Sequence, residues 1–209
     1  TPGTPGTPGT PGTPDPAKKR AHPSRDQRQS RQVRLSQNLP QPRQRTPTRR
    51  PRVRAVRALL QRVTSASVSV NSDVVGRINS GLVILLGVSR TDGAEDARYL
   101  VDKIANLRIF PDEQGHFAVS ALDAGAEMLL VSQFTLHANT RRGRRPSFAN
   151  AAPSGQAEVL FDQVADLFRQ KDLSVAKGRF GSYMQVEIVN DGPVTIMIDS
   201  AERSHPRSG

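Results

Sequence analysis

The segment "RALLQRVTSASVSVNSDVVGRINSGLVILLGV", residues 57–88, decides the fold class. Three strand-like runs follow one another in it before any helical period begins. Residues 57–64 read as a strand. Residues 67–70 and 74–78 flank Asn71-Ser72-Asp73, a polar triplet that reads as a hairpin loop. Residues 82–88 form a continuous apolar run, suited to a buried strand. Beyond them the period changes. Ala97, Leu100, Val101, Ile104 and Leu107 recur at helical spacing. Asp92 followed by Glu95 resembles a capping box and starts this helix near Gly93. Gln114-Gly115 marks a turn. Residues 128–136 read as another strand. Leu160, Val164, Leu167 and Phe168 mark a second helix over residues 154–171, and residues 183–189 and 194–199 are the last strands. Strands outnumber helices, and several run in succession. The expected fold is α+β, with mixed, largely antiparallel sheets and two main amphipathic helices in a single domain, not a doubly wound parallel sheet.

Charge divides the chain in the same place as the pattern. The formal net charge is +11, yet residues 1–55 hold 13 Lys/Arg against 2 Asp/Glu, while residues 56–209 hold 17 of each sign. The basic excess therefore sits wholly in the N-terminal tail. Residues 1–14 repeat Thr-Pro-Gly, and residues 15–55 are rich in Arg, Gln, Pro and Ser with no useful apolar period. Such a stretch cannot bury enough to offset chain entropy, so a disordered low-complexity tail is expected over 1–55. An electrostatic RNA-binding arm and an inert appendage both fit its composition. The expected organisation is this tail, a folded domain over 56–200 and a flexible end over 201–209. Cysteine is absent, which excludes disulfides and thiol nucleophiles. No run approaches the roughly 18 apolar residues of a membrane span, and a cytoplasmic protein without membrane contact is expected.

The familiar catalytic kits are missing. The four histidines, His22, His116, His137 and His205, show no zinc-site spacing, and no metal or cofactor is expected. There is no G-x-S-x-G elbow and no phosphate-binding G-x-x-x-x-G-K loop. Four stretches stand out instead. In "LLQRV", 59–63, Arg62 shares a strand face with Ala58 and Leu60; buried there it needs a partner, and at an edge it reaches solvent. In "VSQFTL", 131–136, an apolar strand abruptly presents Ser132, Gln133 and Thr135, suited to substrate positioning or to a strand emerging into water. In "RRGRRPSF", 141–148, Arg141, Arg142, Arg144 and Arg145 suit phosphate contact or a solvated loop. In "IVNDGPVTIMID", 188–199, Asn190-Asp191-Gly192-Pro193 splits two apolar runs, and the proline removes a backbone donor where strand pairing should restart.

Taken in order, "RALLQRVTSASV", "KIANLRIF" at 103–110, "SQFTL" at 132–136, "GRRPSF" at 143–148 and "NDGPVTIMID" at 190–199 resemble the bacterial D-aminoacyl-tRNA deacylase family. The resemblance covers 57–200 and omits the tail. Family members begin with a methionine where this chain has Val56. A valine codon can serve as a bacterial start, so the working protein is expected to begin at Val56, with 1–55 outside it. The resemblance implies hydrolysis of the ester between a D-amino acid, or glycine, and the terminal adenosine of tRNA, by a homodimer. It implies that Gly192-Pro193 is a cis peptide whose neighbouring carbonyl oxygens read chirality and exclude an L side chain. A cis X–Pro bond costs only about 0.5–1 kcal/mol. It implies that this loop enters the partner's active site and that Arg62 braces it across the interface. Ser132, Gln133, Phe134 and Thr135 are implied to hold the aminoacyl ester and stabilise the oxyanion, and Phe180 and Met184 to build the adenine pocket. For the proton acceptor, the resemblance leaves the terminal 2′-hydroxyl of the tRNA against Thr135 acting as nucleophile; no base stands near Thr135 in sequence, which favours the 2′-hydroxyl. Two alternatives remain: a paralogous deacylase with a trans Gly-Pro that acts on L-alanine mischarged onto tRNA, and a non-catalytic tRNA-binding module driven by the basic tail.

Overall fold

The computed structural model describes Gly3 and residues 56–141 and 143–204. The tail at 1–55, apart from Gly3, lies outside the described residues, as do Arg142 and residues 205–209.

The chain opens with a long strand, β1 (Arg57–Val70), followed by β2 (Asp73–Ile78) and β3 (Gly81–Gly87). The runs at 57–64 and 67–70 are thus one strand. Its length has a purpose in the sheet. The first half of β1 pairs with β3, the second half with β2, both antiparallel. Asn71 and Ser72 take positive φ values of 51° and 71° to close the β1–β2 hairpin.

Helix α1 (Ala94–Asn106), the hairpin β4 (Arg108–Pro111) and β5 (Phe117–Ser120), β6 (Glu127–Ser132), helix α2 (Ser154–Arg169), β7 (Val175–Lys177) and β8 (Gln185–Asp199) follow. β6 runs parallel to β3 and β7 parallel to β6, so the main sheet is mixed, in the order β2-β1-β3-β6-β7 with β8 on the far side of β1. The sheet curls: a side chain at Gly76 in β2 would stand 2.9 Å from the Lys177 carbonyl oxygen in β7 and 3.2 Å from Leu129. Glycine at 76 is what lets these two edges approach. The α+β fold class is as expected.

Both faces of the central strands are buried. Leu82, Ile84 and Leu86 of β3 and Met128 and Leu130 of β6 pack against α1 and α2, through Leu100, Ile104, Phe161, Val164 and Phe168. Val83, Leu129 and Val131 point the other way, into a smaller cluster inside the curl with Val63, Ala66, Val68 and Ile78. Each such side chain contributes about 1.5–3 kcal/mol by burial, which explains why β3 reads as an unbroken apolar run.

Four local expectations are corrected. The strand at 128–136 ends at Ser132: the Gln133 N–H makes the last ladder bond, to the Leu86 carbonyl at 2.7 Å, and the chain then winds into a 3-10 turn, Phe134–His137. The cap of α1 is Gly93, whose N–H donates to Asp96 Oδ2 at 3.1 Å; Asp92 instead accepts the Ser89 N–H and hydroxyl, at 2.6 and 2.7 Å. The flexible end expected from 201 starts as a 3-10 turn, Ser200–Ser204, whose Ser200 hydroxyl accepts the Val56 N–H at 2.9 Å. The strands at 183–189 and 194–199 are one element, β8, and the segment between them does not reverse the chain. Both halves of β8 pair antiparallel with β1, and the register jumps from Gln61↔Thr195 to Val63↔Asn190. Asp191–Val194 is a bulge pushed out of the ladder, which is why a proline fits there.

Candidate active site

The turn after β6 is held by contacts from β1 and β3. Ser132 ends the strand half-buried, and Gln133, at φ −144° and ψ 76°, breaks it. The first intrahelical donor of the turn is the Leu136 N–H, bonding the Gln133 carbonyl at 3.2 Å. The Phe134 and Thr135 N–H groups precede it, at the open end of the turn. Gln133 Nε2 donates to Thr135 Oγ1, and both side chains lie near the surface. Three residues that the sequence reading did not single out seat this turn. Gly87 leaves space that a Cβ would lose: it would stand 2.9 Å from the Gln133 carbonyl and 3.0 Å from Leu136 Cβ. Arg57 donates to the Leu136 carbonyl at 2.9 Å while paired with Asp199 at 3.1 Å. His137 is buried beneath, its Nε2 without a hydrogen-bond partner. The one available signal was a glycine ending the apolar run of β3.

The turn forms one wall of a pocket of about 650 Å³. Ser132, Gln133 and Phe134 line it together with Phe180, Gly181, Ser182, Tyr183 and Met184, and Phe161 and Phe148 contribute. Phe180 is fixed by a tilted contact with Phe161, centroids 5.8 Å apart. Gly178 makes room for Met184, since a Cβ there would lie 2.6 Å from the Met184 sulfur. Phe134 meets Phe148 edge to face at 5.0 Å, which ties the arginine-rich loop to the turn. In that loop Arg141, Arg144 and Arg145 are exposed, and Asn139 and Ser147 clamp its base by paired backbone bonds of 2.8 and 3.0 Å. Arg142 lies outside the described residues.

The Gly192-Pro193 bulge stands apart from this pocket, among whose lining residues neither appears. Its peptide is cis and Gly192 has φ +118°. The Val194 N–H donates to Asn190 Oδ1 at 3.0 Å, closing the bulge. Arg62 is 6% exposed and lies against the loop. Its guanidinium donates to the Ile109 carbonyl, sits 5.3 Å over the Phe117 ring, and places Nε 2.9 Å from Asp191 Oδ2, an ion pair without an aligned hydrogen bond. Within its own chain, Arg62 thus holds the bulge through Asp191.

Behind the turn, Asp92 and Asp96 are both 8% exposed. Burial raises the Asp92 carboxyl above its ordinary range; the Ser89 hydrogen bonds oppose this, Asp96 adds to it, and His137 lessens it. Among the described residues no cluster of His, Asp or Glu suited to hold a metal ion occurs, and no helix is long and apolar enough to cross a membrane.

Fold and pocket together define a curled α+β domain with a cleft lined by a strand-end turn and an aromatic loop that contains Gly178 and Gly181. The profile of the family described as D-Tyr-tRNA(Tyr) deacylase matches residues 59–199, and the chain belongs to that family. A D-aminoacyl-tRNA deacylase of Roseiflexus sp. strain RS-1 is 55% identical over 153 residues, 73% of this chain and 99% of the relative. That of Chloroflexus aurantiacus is 55% identical over 152 residues, 73% of this chain and 95% of its own. Among solved structures, one titled "c-Myc DNA Unwinding Element Binding Protein" superposes with TM-score 0.64 at 42% identity, covering 68% of this chain and 97% of that one. A probable eukaryotic D-amino acid tRNA deacylase shares the fold at TM-score 0.62 and 19% identity, over 69% of this chain and 99% of that one.

Proposed function

We propose that the protein hydrolyses the ester of D-aminoacyl-tRNA and of mischarged glycyl-tRNA, releasing the free amino acid and tRNA, as a proofreading enzyme of translation. Its substrate class places it in the cytoplasm. The observation that carries this reading is that one pocket is lined both by Ser132, Gln133 and Phe134 of the turn and by Phe180 and Met184. In this reading the terminal adenine lies against Phe180 and Met184, which sets the ester at the turn. Water adds to the ester carbonyl carbon, and the Phe134 and Thr135 N–H groups hold the oxyanion. The intermediate then expels the ribose oxygen, which takes the proton lost by water. The 2′-hydroxyl of the terminal ribose relays that proton. Thr135 Oγ1 has the Gln133 amide as its neighbour, a donor and not a base, which favours this route over a threonine nucleophile.

Chiral selection falls to the carbonyl oxygens of the Gly192-Pro193 bulge, read by main chain so that many side chains are accepted. The bulge lies outside the pocket of its own chain, which supports a homodimer in which each bulge completes the partner's site. Arg141, Arg142, Arg144 and Arg145 would meet tRNA phosphates.

The test is deacylation of matched D- and L-Tyr-tRNA, with Thr135→Ala beside the parent. Hydrolysis of the D form alone, with Thr135→Ala keeping kcat within roughly tenfold, is expected. Preference for mischarged L-Ala-tRNA would instead identify the paralogous deacylase. RNA binding without cleavage would leave a binding module. Complete loss of activity in a folded Thr135→Ala protein would make the threonine a nucleophile.

A further inference from the structure

The loop between β7 and β8 carries one pocket-lining residue whose side chain stands almost wholly in solvent. Tyr183 is 89% exposed, the most exposed large hydrophobic residue described, and it lines the pocket between Ser182 and Met184, which its exposure places at the rim. Tyrosine joins a broad apolar ring to a polar tip, which enriches it at interfaces. The loop that holds it is well defined. The Gly178 N–H bonds the Leu130 carbonyl at 2.9 Å, the Ser182 N–H bonds the Arg179 carbonyl at 3.3 Å, and Gly181 turns the chain at φ +70°. Arg179, on the same loop, is also exposed. One face of this loop therefore offers the adenine wall through Phe180 and Met184, and its rim offers a free ring and a guanidinium. Alternating aromatic and cationic groups of this kind form a platform for single-stranded nucleic acid.

We propose that Tyr183 stacks on the base of the nucleotide preceding the terminal adenosine, and that Arg179 meets the phosphate joining the two. This rests on the reading of the pocket as the site for terminal adenosine. The rim position gives the second nucleotide a surface outside the pocket, so Tyr183 binds the acceptor strand without touching the ester.

The experiment compares two substrates, D-Tyr-tRNA and 3′-O-D-tyrosyl-adenosine, which lacks the second nucleotide. Tyr183→Ala is expected to raise KM for D-Tyr-tRNA by roughly tenfold, within the range that loss of one base–aromatic stack produces. It should leave kcat within about twofold and raise KM for tyrosyl-adenosine several-fold less than KM for D-Tyr-tRNA. Tyr183→Phe should restore the parent KM. Arg179→Gln should reduce the salt dependence of KM on tRNA by the slope of about one phosphate contact. An unchanged KM on tRNA in Tyr183→Ala overturns the proposal. So does an equal loss on both substrates, or a changed sedimentation coefficient with tRNA affinity intact, which would give the ring to a protein contact. Failure of the pocket reading looks different: the parent would cleave neither substrate, or Phe180→Ala would affect neither.

Discussion

Gly192 shows how much one residue is asked to do. At φ +118° it occupies backbone space that side-chain-bearing residues rarely enter, and a Cβ there would stand 2.8 Å from Val194 Cγ2 and 3.2 Å from an Arg62 nitrogen. Val194 is buried and Arg62 is held from other directions, so neither can yield cheaply. Gly192→Ala is therefore expected to displace the bulge and lose about 1–3 kcal/mol of stability. In paired D/L-Tyr-tRNA assays it should lower activity on the D form by at least tenfold while a circular dichroism melt still shows a folded protein. Asp92 gives the second prediction at this scale. Its carboxyl is raised above the ordinary 3.8 chiefly by burial. The folded state thus binds the proton more tightly than the unfolded chain does. The contribution is fully present below about pH 3.8 and is lost as pH rises through the raised folded value. Asp92→Asn has no such titration. Urea midpoints of both proteins, measured upward from that pH, should show the parent losing stability relative to Asp92→Asn, with the difference levelling off once Asp92 is ionised in both states.

The turn after β6 is the element on which the site depends, and its position is set from outside. Gly87 and Arg57 hold its two ends from neighbouring strands. Gly87→Ala should press on the Gln133 carbonyl and Leu136 and shift the Phe134 and Thr135 N–H groups. A misplacement of about 1 Å costs on the order of a hundredfold in rate. A drop in kcat of that order with KM little changed is the expected steady-state result, and rescue is not expected from any substitution at Thr135. Periodicity made the long elements legible: the buried run of β3 and the apolar stripes of α1 and α2 could be read directly. The short strands β4, β5 and β7 could not, because three or four residues do not establish a period. Ser132-Gln133 was legible as an oddity, but the 3-10 turn that follows was not, because its seat is made by Gly87 and Arg57 in other strands. The proline at 193 signalled that pairing is interrupted. It did not signal that both flanking runs pair with one strand, because that depends on the unusual length of β1.

At the scale of the molecule, charge is divided unevenly along the sequence. The folded region is balanced in sign, and the basic excess lies at 1–55. Its first described residue, Val56, is fully buried and bonded to Ser200 on both its N–H and carbonyl. A fragment of residues 56–209 should therefore fold and keep its kcat on D-Tyr-tRNA, while any contribution of 1–55 should surface only as a change in the salt dependence of KM. The bulge and the pocket are separated, and this permits a test of whether one chain's bulge serves another chain's pocket. Phe180→Ala damages the pocket and leaves the bulge sound; Gly192→Ala does the reverse. In a mixed dimer, one site joins a sound pocket to a sound bulge only if the bulge acts in trans. With random exchange, half of the dimers are mixed and each carries one restored site, so equal mixing of two inactive variants should recover about a quarter of the parent activity. If the bulge serves its own chain, every site retains one defect. Activity of the mixture would then remain at the average of the two variants, however long the subunits are left to exchange.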